Sequence, residues 1–147
     1  MNADFINKII FGKYKVLKPL DKGSFGSVYK AKNIRTNELV AIKAEDWKLC
    51  GNILENEAFI LYILQNFGIP ELKSFGVYKK KYKVLVQTLL GYNLQNLISN
   101  NKKRLNMKDI CMIAIQLLDR LEFVHSKYVI HRDLKPENTI NSGVINI

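Results

Sequence analysis

Asp133, Lys135 and Asn138 stand within one short run, His131-Arg132-Asp133-Leu134-Lys135-Pro136-Glu137-Asn138. Each side chain has a distinct chemical use. The carboxylate of Asp133 is a potential base, the ammonium of Lys135 seeks phosphate, and the carboxamide oxygen of Asn138 is a hard donor suited to an ion such as Mg2+. One loop could therefore meet a hydroxyl, a phosphate and a divalent ion together. His131 and Arg132 are expected to organise the loop and not to react.

Three further features upstream bear on the same chemistry. Leu20-Asp21-Lys22-Gly23-Ser24-Phe25-Gly26-Ser27-Val28 joins two alternating segments through glycines. Without a Cβ, such a turn lets backbone N–H groups approach phosphate oxygens. Taken alone it reads equally well as an ordinary hairpin, and Asp21 would repel phosphate if it faced inward. Val40-Ala41-Ile42-Lys43 ends an apolar strand in a lysine, which in isolation is a solvated edge charge. Glu57 follows Lys43 by fourteen residues, on a segment of helical period. A carboxylate there can hold the lysine in place. Glu55 is an alternative partner, but Glu57 shares a face with Ile53, Ile60, Leu61 and Leu64.

The elements that must carry these groups follow from periodicity. Strands are expected over 14–20, 28–32, 39–43, 75–78 and 82–86, where apolar and polar residues alternate or β-branched residues cluster. Residues 53–64 read as a helix that Gly68-Ile69-Pro70 stops, and 93–98 as a short helix. The clearest helix starts at Asn106, with Asp109 completing a capping box. Ile110, Ile113, Ala114, Leu117, Leu118, Leu121 and Val124 form its apolar face. Cys111, Met112 and Ile115 lie off that face, so burial on several sides is expected.

Composition sets outer bounds. The 147 residues, 48% apolar and 24% charged, suit one globular domain or one and a half lobes of a larger one. No signal peptide and no apolar run of membrane-spanning length is visible, so no membrane partner is expected. Cys50 and Cys111 read as reduced thiols, and neither they nor His125 and His131 have metal-ligand spacing. The net charge of +10 favours acidic partners. The basic residues gather in Lys79-Lys80-Lys81-Tyr82-Lys83 and Lys102-Lys103-Arg104, which read first as solvated turns, next as a surface for phosphate or acidic peptide, and least as a nucleic-acid site. The cytoplasm is the expected location, and the basic clusters allow nuclear entry.

With all four features in order, residues 14–147 resemble the first half of a protein kinase domain. The resemblance implies an α+β fold: a five-stranded antiparallel N-lobe sheet with its helix C (14–88), a hinge (89–92) and the start of a helical C-lobe (93–147), preceded by an extension over 1–13. It implies ATP and Mg2+ as cofactors. ATP would lie among Leu20, Asp21, Lys22, Gly23, Ser24, Phe25, Gly26, Ser27, Val28, Ala41, Lys43, Glu57, Gln87 and Leu90. Asp133 would accept the proton of a substrate hydroxyl, Lys135 would neutralise the transferring phosphoryl group, and Asn138 would ligate Mg2+.

A closer likeness is to the casein kinase 1 family. It rests on Lys43-Ala44-Glu45, Gly68-Ile69-Pro70, Leu89-Leu90-Gly91 and Val124-His125-Ser126-Lys127. This implies a serine/threonine kinase acting on proteins whose Ser or Thr lies near acidic or phosphorylated residues. Four positions depart from the pattern: Asp21 for the first glycine, Gln87 at the gatekeeper-like position, Thr88 at the hinge and Thr139 after Asn138. Val144-Ile145-Asn146-Ile147 resembles the strand just before the Asp-Phe-Gly motif. The expectation is therefore a truncated kinase domain, the alternative being a non-catalytic fragment that binds a nucleotide or a partner.

Overall fold

The computed structural model describes residues 5–22, 26–65, 68–100 and 105–139. Gly23, Ser24 and Phe25 of the glycine turn, the basic run 102–104 and the strand expected at 144–147 lie outside them. The chain divides into two compact units, residues 1–59 with 71–89 and residues 60–70 with 90–147.

The first unit is a six-stranded antiparallel sheet: β1 (Ile9–Ile10), β2 (Tyr14–Lys22), β3 (Gly26–Asn33), β4 (Leu39–Asp46), β5 (Leu72–Tyr78) and β6 (Tyr82–Thr88), in the order β1-β2-β3-β4-β6-β5. Alternation in sequence becomes alternation in burial: along β3, Ser27, Tyr29, Ala31 and Asn33 are buried and their neighbours are half-exposed. One face carries the core of Phe5, Ile10, Tyr14, Val16, Tyr29, Ala31, Val40, Ile42, Ala44, Val84 and Val86.

The sheet has six strands, not the expected five. Ile9 and Ile10 pair with Lys15 and Tyr14 across a tight turn, and two residues are too short a run to show a period. Ile9 and Ile10, which lie in the segment expected to be an extension, thus belong to the sheet. Phe5 is fully buried, its ring edge-on to Tyr82 at 5.0 Å and 5.4 Å from Tyr29. Burying such a side chain contributes roughly 1.5–3 kcal/mol.

Two helices follow β4: the single turn α1 (Trp47–Cys50) and α2 (Ile53–Ile63). The buried positions of α2 are Leu54, Ala58 and Leu61, while Ile53 is exposed. Of the expected stripe of Ile53, Leu54, Glu57, Ile60, Leu61 and Leu64, the three leucines are buried, Glu57 and Ile60 are half-buried, and Ile53 alone is exposed. After α2 the chain turns at Gly68, whose φ is +89°; an added Cβ would lie 2.0 Å from Nε of Arg120.

The second unit holds α3 (Leu94–Asn100), α4 (Met107–Ser126) and a 3-10 turn at Pro136–Asn138. The described residues therefore show two helices here and not a helical lobe. The capping box of α4 is present: Asp109 N–H donates to Asn106 Oδ1 at 2.8 Å, and Asn106 N–H to Asp109 Oδ2 at 3.3 Å. Val124 is its buried residue, whereas Ile110, Met112, Ile115 and Leu118 are exposed, against the expectation of burial on several sides. No helix among the described residues is long and apolar enough to cross a membrane.

Candidate active site

Register builds the part of the site that lies in the first unit. Val28 pairs with Lys43, which pairs with Leu85; Ala41 pairs with Gln87, and Glu45 with Lys83. Directly paired residues share a sheet face, so Val28, Ala41, Lys43, Glu45, Lys83 and Gln87 all stand on the face opposite the aromatic core. Against this face Lys43 Nζ meets Glu57 Oε2 at 2.5 Å. The choice left open between two carboxylates is settled in a way the sequence did not suggest. Glu57 holds Lys43, and Glu55 holds a different lysine, Lys83, at 2.6 Å.

Gly26, at the start of β3, lies tight against β4. A Cβ added at Gly26 would lie 2.6 Å from the carbonyl oxygen of Ala44 and 2.7 Å from Cγ of Glu45. Leu20 and Lys22 are exposed. Asp21 pairs with Val28, and its carboxylate accepts a hydrogen bond from the N–H of Lys22 at 2.7 Å. Ser27 is buried on the core face, paired with Lys22 and Ala44, so its side chain does not stand on the face of Lys43. Gln87 and Leu90 are half-buried, and Oε1 of Gln87 is a buried acceptor without a partner among the described residues.

Glu45 is only 4% exposed. Burial pushes its carboxyl above the usual range; Lys43 opposes that shift, Glu57 adds to it and Lys83 opposes it.

The second unit carries the loop. Lys135 Nζ meets Asp133 Oδ2 at 2.7 Å, and Asn138 Nδ2 donates to both the carbonyl and Oδ2 of Asp133 at 2.9 Å. His131 Nδ1 accepts from Asp133 N–H at 3.2 Å, the organising role expected of it. Lys135 holds the Asp133 carboxyl below its ordinary range, chiefly by its hydrogen bond, with help from Asn138 and His131; Asp133 raises Lys135 in return. Thr139, a departure from the family pattern, closes the loop: its hydroxyl donates to the Lys135 carbonyl at 3.1 Å, and its own carbonyl accepts from Leu94 N–H at 2.7 Å.

The residues fit a nucleotide with its metal. Two acceptors on Asp133 fix the amide of Asn138 with Nδ2 toward them, so Oδ1 remains the acceptor for an ion. The described residues include no group of three or more His, Cys, Asp or Glu placed to hold a metal. Mg2+ here would thus be shared with phosphates, the way this ion is commonly bound.

A lysine fixed by a helix carboxylate in the first unit and a loop with base, cation and amide in the second are the groups that a phosphotransferase uses. The comparison with known families names it: the protein kinase domain matches residues 14–147, and the chain belongs to that family. Sequence reasoning placed Lys83 only in a basic run and Thr139 only among the departures, and gave neither a structural role. For Lys83 the available signal was a lysine inside the apolar strand Tyr82-Lys83-Val84-Leu85-Val86.

Proposed function

We propose that this protein is a serine/threonine kinase of casein kinase 1 type that uses Mg-ATP and acts on acidic or phosphorylated protein segments. The Lys43–Glu57 pair carries the nucleotide part of this reading. It holds an ammonium on the sheet face that bears Val28 and Ala41, as phosphate binding requires. Bound ATP with Mg2+ would supply the phosphoryl group. Gly26 allows close backbone approach, and Gln87 Oε1 offers an acceptor to a purine amino group. Asp133 orients and accepts the hydroxyl proton, Lys135 neutralises phosphoryl charge, and Asn138 contributes an oxygen to the ion. The charge of +10 supports the substrate class.

A second reading, binding of a nucleotide or partner without phosphoryl transfer, is favoured by the exposed Ile110, Met112, Ile115 and Leu118 of α4. Thermal unfolding with increasing Mg-ATP tests the nucleotide site. A hundredfold excess over the dissociation constant adds about 2.7 kcal/mol, and the rise is expected to vanish in Lys43→Met. Absence of any rise in the wild type sinks the reading. Phosphorylation of casein, abolished in Asp133→Asn, separates the kinase from the mere binder.

A further inference from the structure

Lys83 sits where the register alone would not lead one to look for function. It lies on β6, directly opposite Glu45 and one row from the Lys43–Leu85 pair. Its side chain is only 13% exposed. Its Nζ donates to the carbonyl of Gly51 at 3.1 Å, to Oδ1 of Asn52 at 2.8 Å and to Oε2 of Glu55 at 2.6 Å. An ammonium has three protons, and here three acceptors take them. All three acceptors belong to the end of α1 and the start of α2, the helix that carries Glu57.

This arrangement runs against helix electrostatics. The N-terminal end of a helix carries partial positive charge, so a cation there is unfavourable. Glu55 offsets the conflict, and the desolvated lysine is held by the two other oxygens. A solvated surface lysine would have none of these partners. Lys81 ties down the other end of α1: its carbonyl accepts from Trp47 N–H at 3.2 Å, and its ammonium lies 3.6 Å from Asp46.

We infer that Lys83 is a positioning residue that sets α2 on the sheet so that Glu57 reaches Lys43. One ion pair fixes one point of a helix and leaves rotation about its axis free. A second pair, from the neighbouring strand to a residue two positions earlier, removes that freedom. Glu55 and Glu57 project about 200° apart around the helix, so the two lysines grip it from different sides. Glu45 stands between the lysines on the same face, paired with Lys83 across β4 and β6.

The inference deepens the nucleotide-binding reading and rests on it for its function, but its test does not depend on nucleotide. In 15N NMR a lysine ammonium held in a hydrogen bond exchanges its protons slowly enough to be seen. The Lys43 signal is expected in the wild type, lost in Glu57→Gln, and lost or broadened in Lys83→Met and Glu55→Gln. It should return when the charges are exchanged in Lys83→Glu/Glu55→Lys. Calorimetric titration with Mg-ATP should show three- to tenfold weaker binding in Lys83→Met, and no further loss when Lys83→Met is added to Glu57→Gln.

A role limited to stability would lower Tm and leave the Lys43 signal and the affinity of the folded fraction unchanged. An unchanged Lys43 signal in folded Lys83→Met and Glu55→Gln overturns the inference. If the wild type binds no Mg-ATP while the Lys43 signal behaves as described, the nucleotide reading fails and the positioning role of Lys83 stands. Should Lys83→Met not fold, the milder Glu55→Gln and the exchanged pair decide.

Discussion

Lys43 and Glu57 meet at 2.5 Å across fourteen residues of sequence, with 33% and 15% of their side chains exposed. That intermediate burial decides what the contact is worth. Exposed pairs contribute about 0.2–1 kcal/mol, whereas breaking a buried one costs about 3–5. A cycle of Lys43→Met, Glu57→Gln and the double variant, followed by urea unfolding, should give a coupling near 1 kcal/mol. A coupling of zero would mean that the pair does not form in solution.

Glu45 makes stability depend on pH in a direction opposite to most carboxylates. Burial raises its folded pKa above the unfolded value, so between the two the folded state holds more protons. Its contribution is full below the ordinary glutamate range and is lost as pH rises through the raised value. Glu45→Gln should therefore be more stable than the wild type at neutral pH. Its stability curve should also lack that step. A Glu45→Gln variant less stable at pH 7 would show that attraction to Lys43 and Lys83 outweighs burial.

The motifs of the site were legible in sequence because each is local. Val40 to Lys43, Glu57 and His131 to Asn138 need only their own strand, helix or loop, and the capping box of α4 needs only Asn106 and Asp109. Lys83 was not legible, since its role arises from the β4–β6 register and from a junction thirty residues away in sequence. Phe5 was missed for a similar reason: only the folded sheet brings Tyr29 and Tyr82 together around it. The face of α2 was legible except at Ile53, which is exposed, because its sequence, Ile-Leu-Glu-Asn-Glu-Ala-Phe-Ile-Leu-Tyr-Ile, is apolar on more than one side.

Asp133 should titrate below the ordinary aspartate range, since Lys135 donates to it first and Asn138 second. A 13C carboxyl titration by NMR should show the midpoint move up in Lys135→Met, and by less in Asn138→Ala. An identical midpoint in the wild type and Lys135→Met would show that the pair is not held in solution. The depressed value has a chemical consequence. Asp133 remains ionised through the neutral range and is a weak base, so it acts best as an oriented acceptor while the proton leaves during transfer.

The exit of α4 toward the loop contains an unusual residue. Tyr128 adopts φ +60° with its side chain 99% exposed. Its N–H donates to the His125 carbonyl at 2.9 Å, and Val129 N–H to that of Val124 at 3.3 Å. These are the two bonds of a Schellman motif, whose left-handed position glycine normally fills. A non-glycine residue there costs about 1–2 kcal/mol. Replacing it with glycine returns about 0.4–1 of this by enlarging the entropy of the unfolded chain. Tyr128→Gly should therefore stabilise by about 0.5–1 kcal/mol in urea unfolding, while Tyr128→Ala, which keeps a Cβ, should gain little. Equal gains from both would place the cost in the exposed ring and not in the backbone.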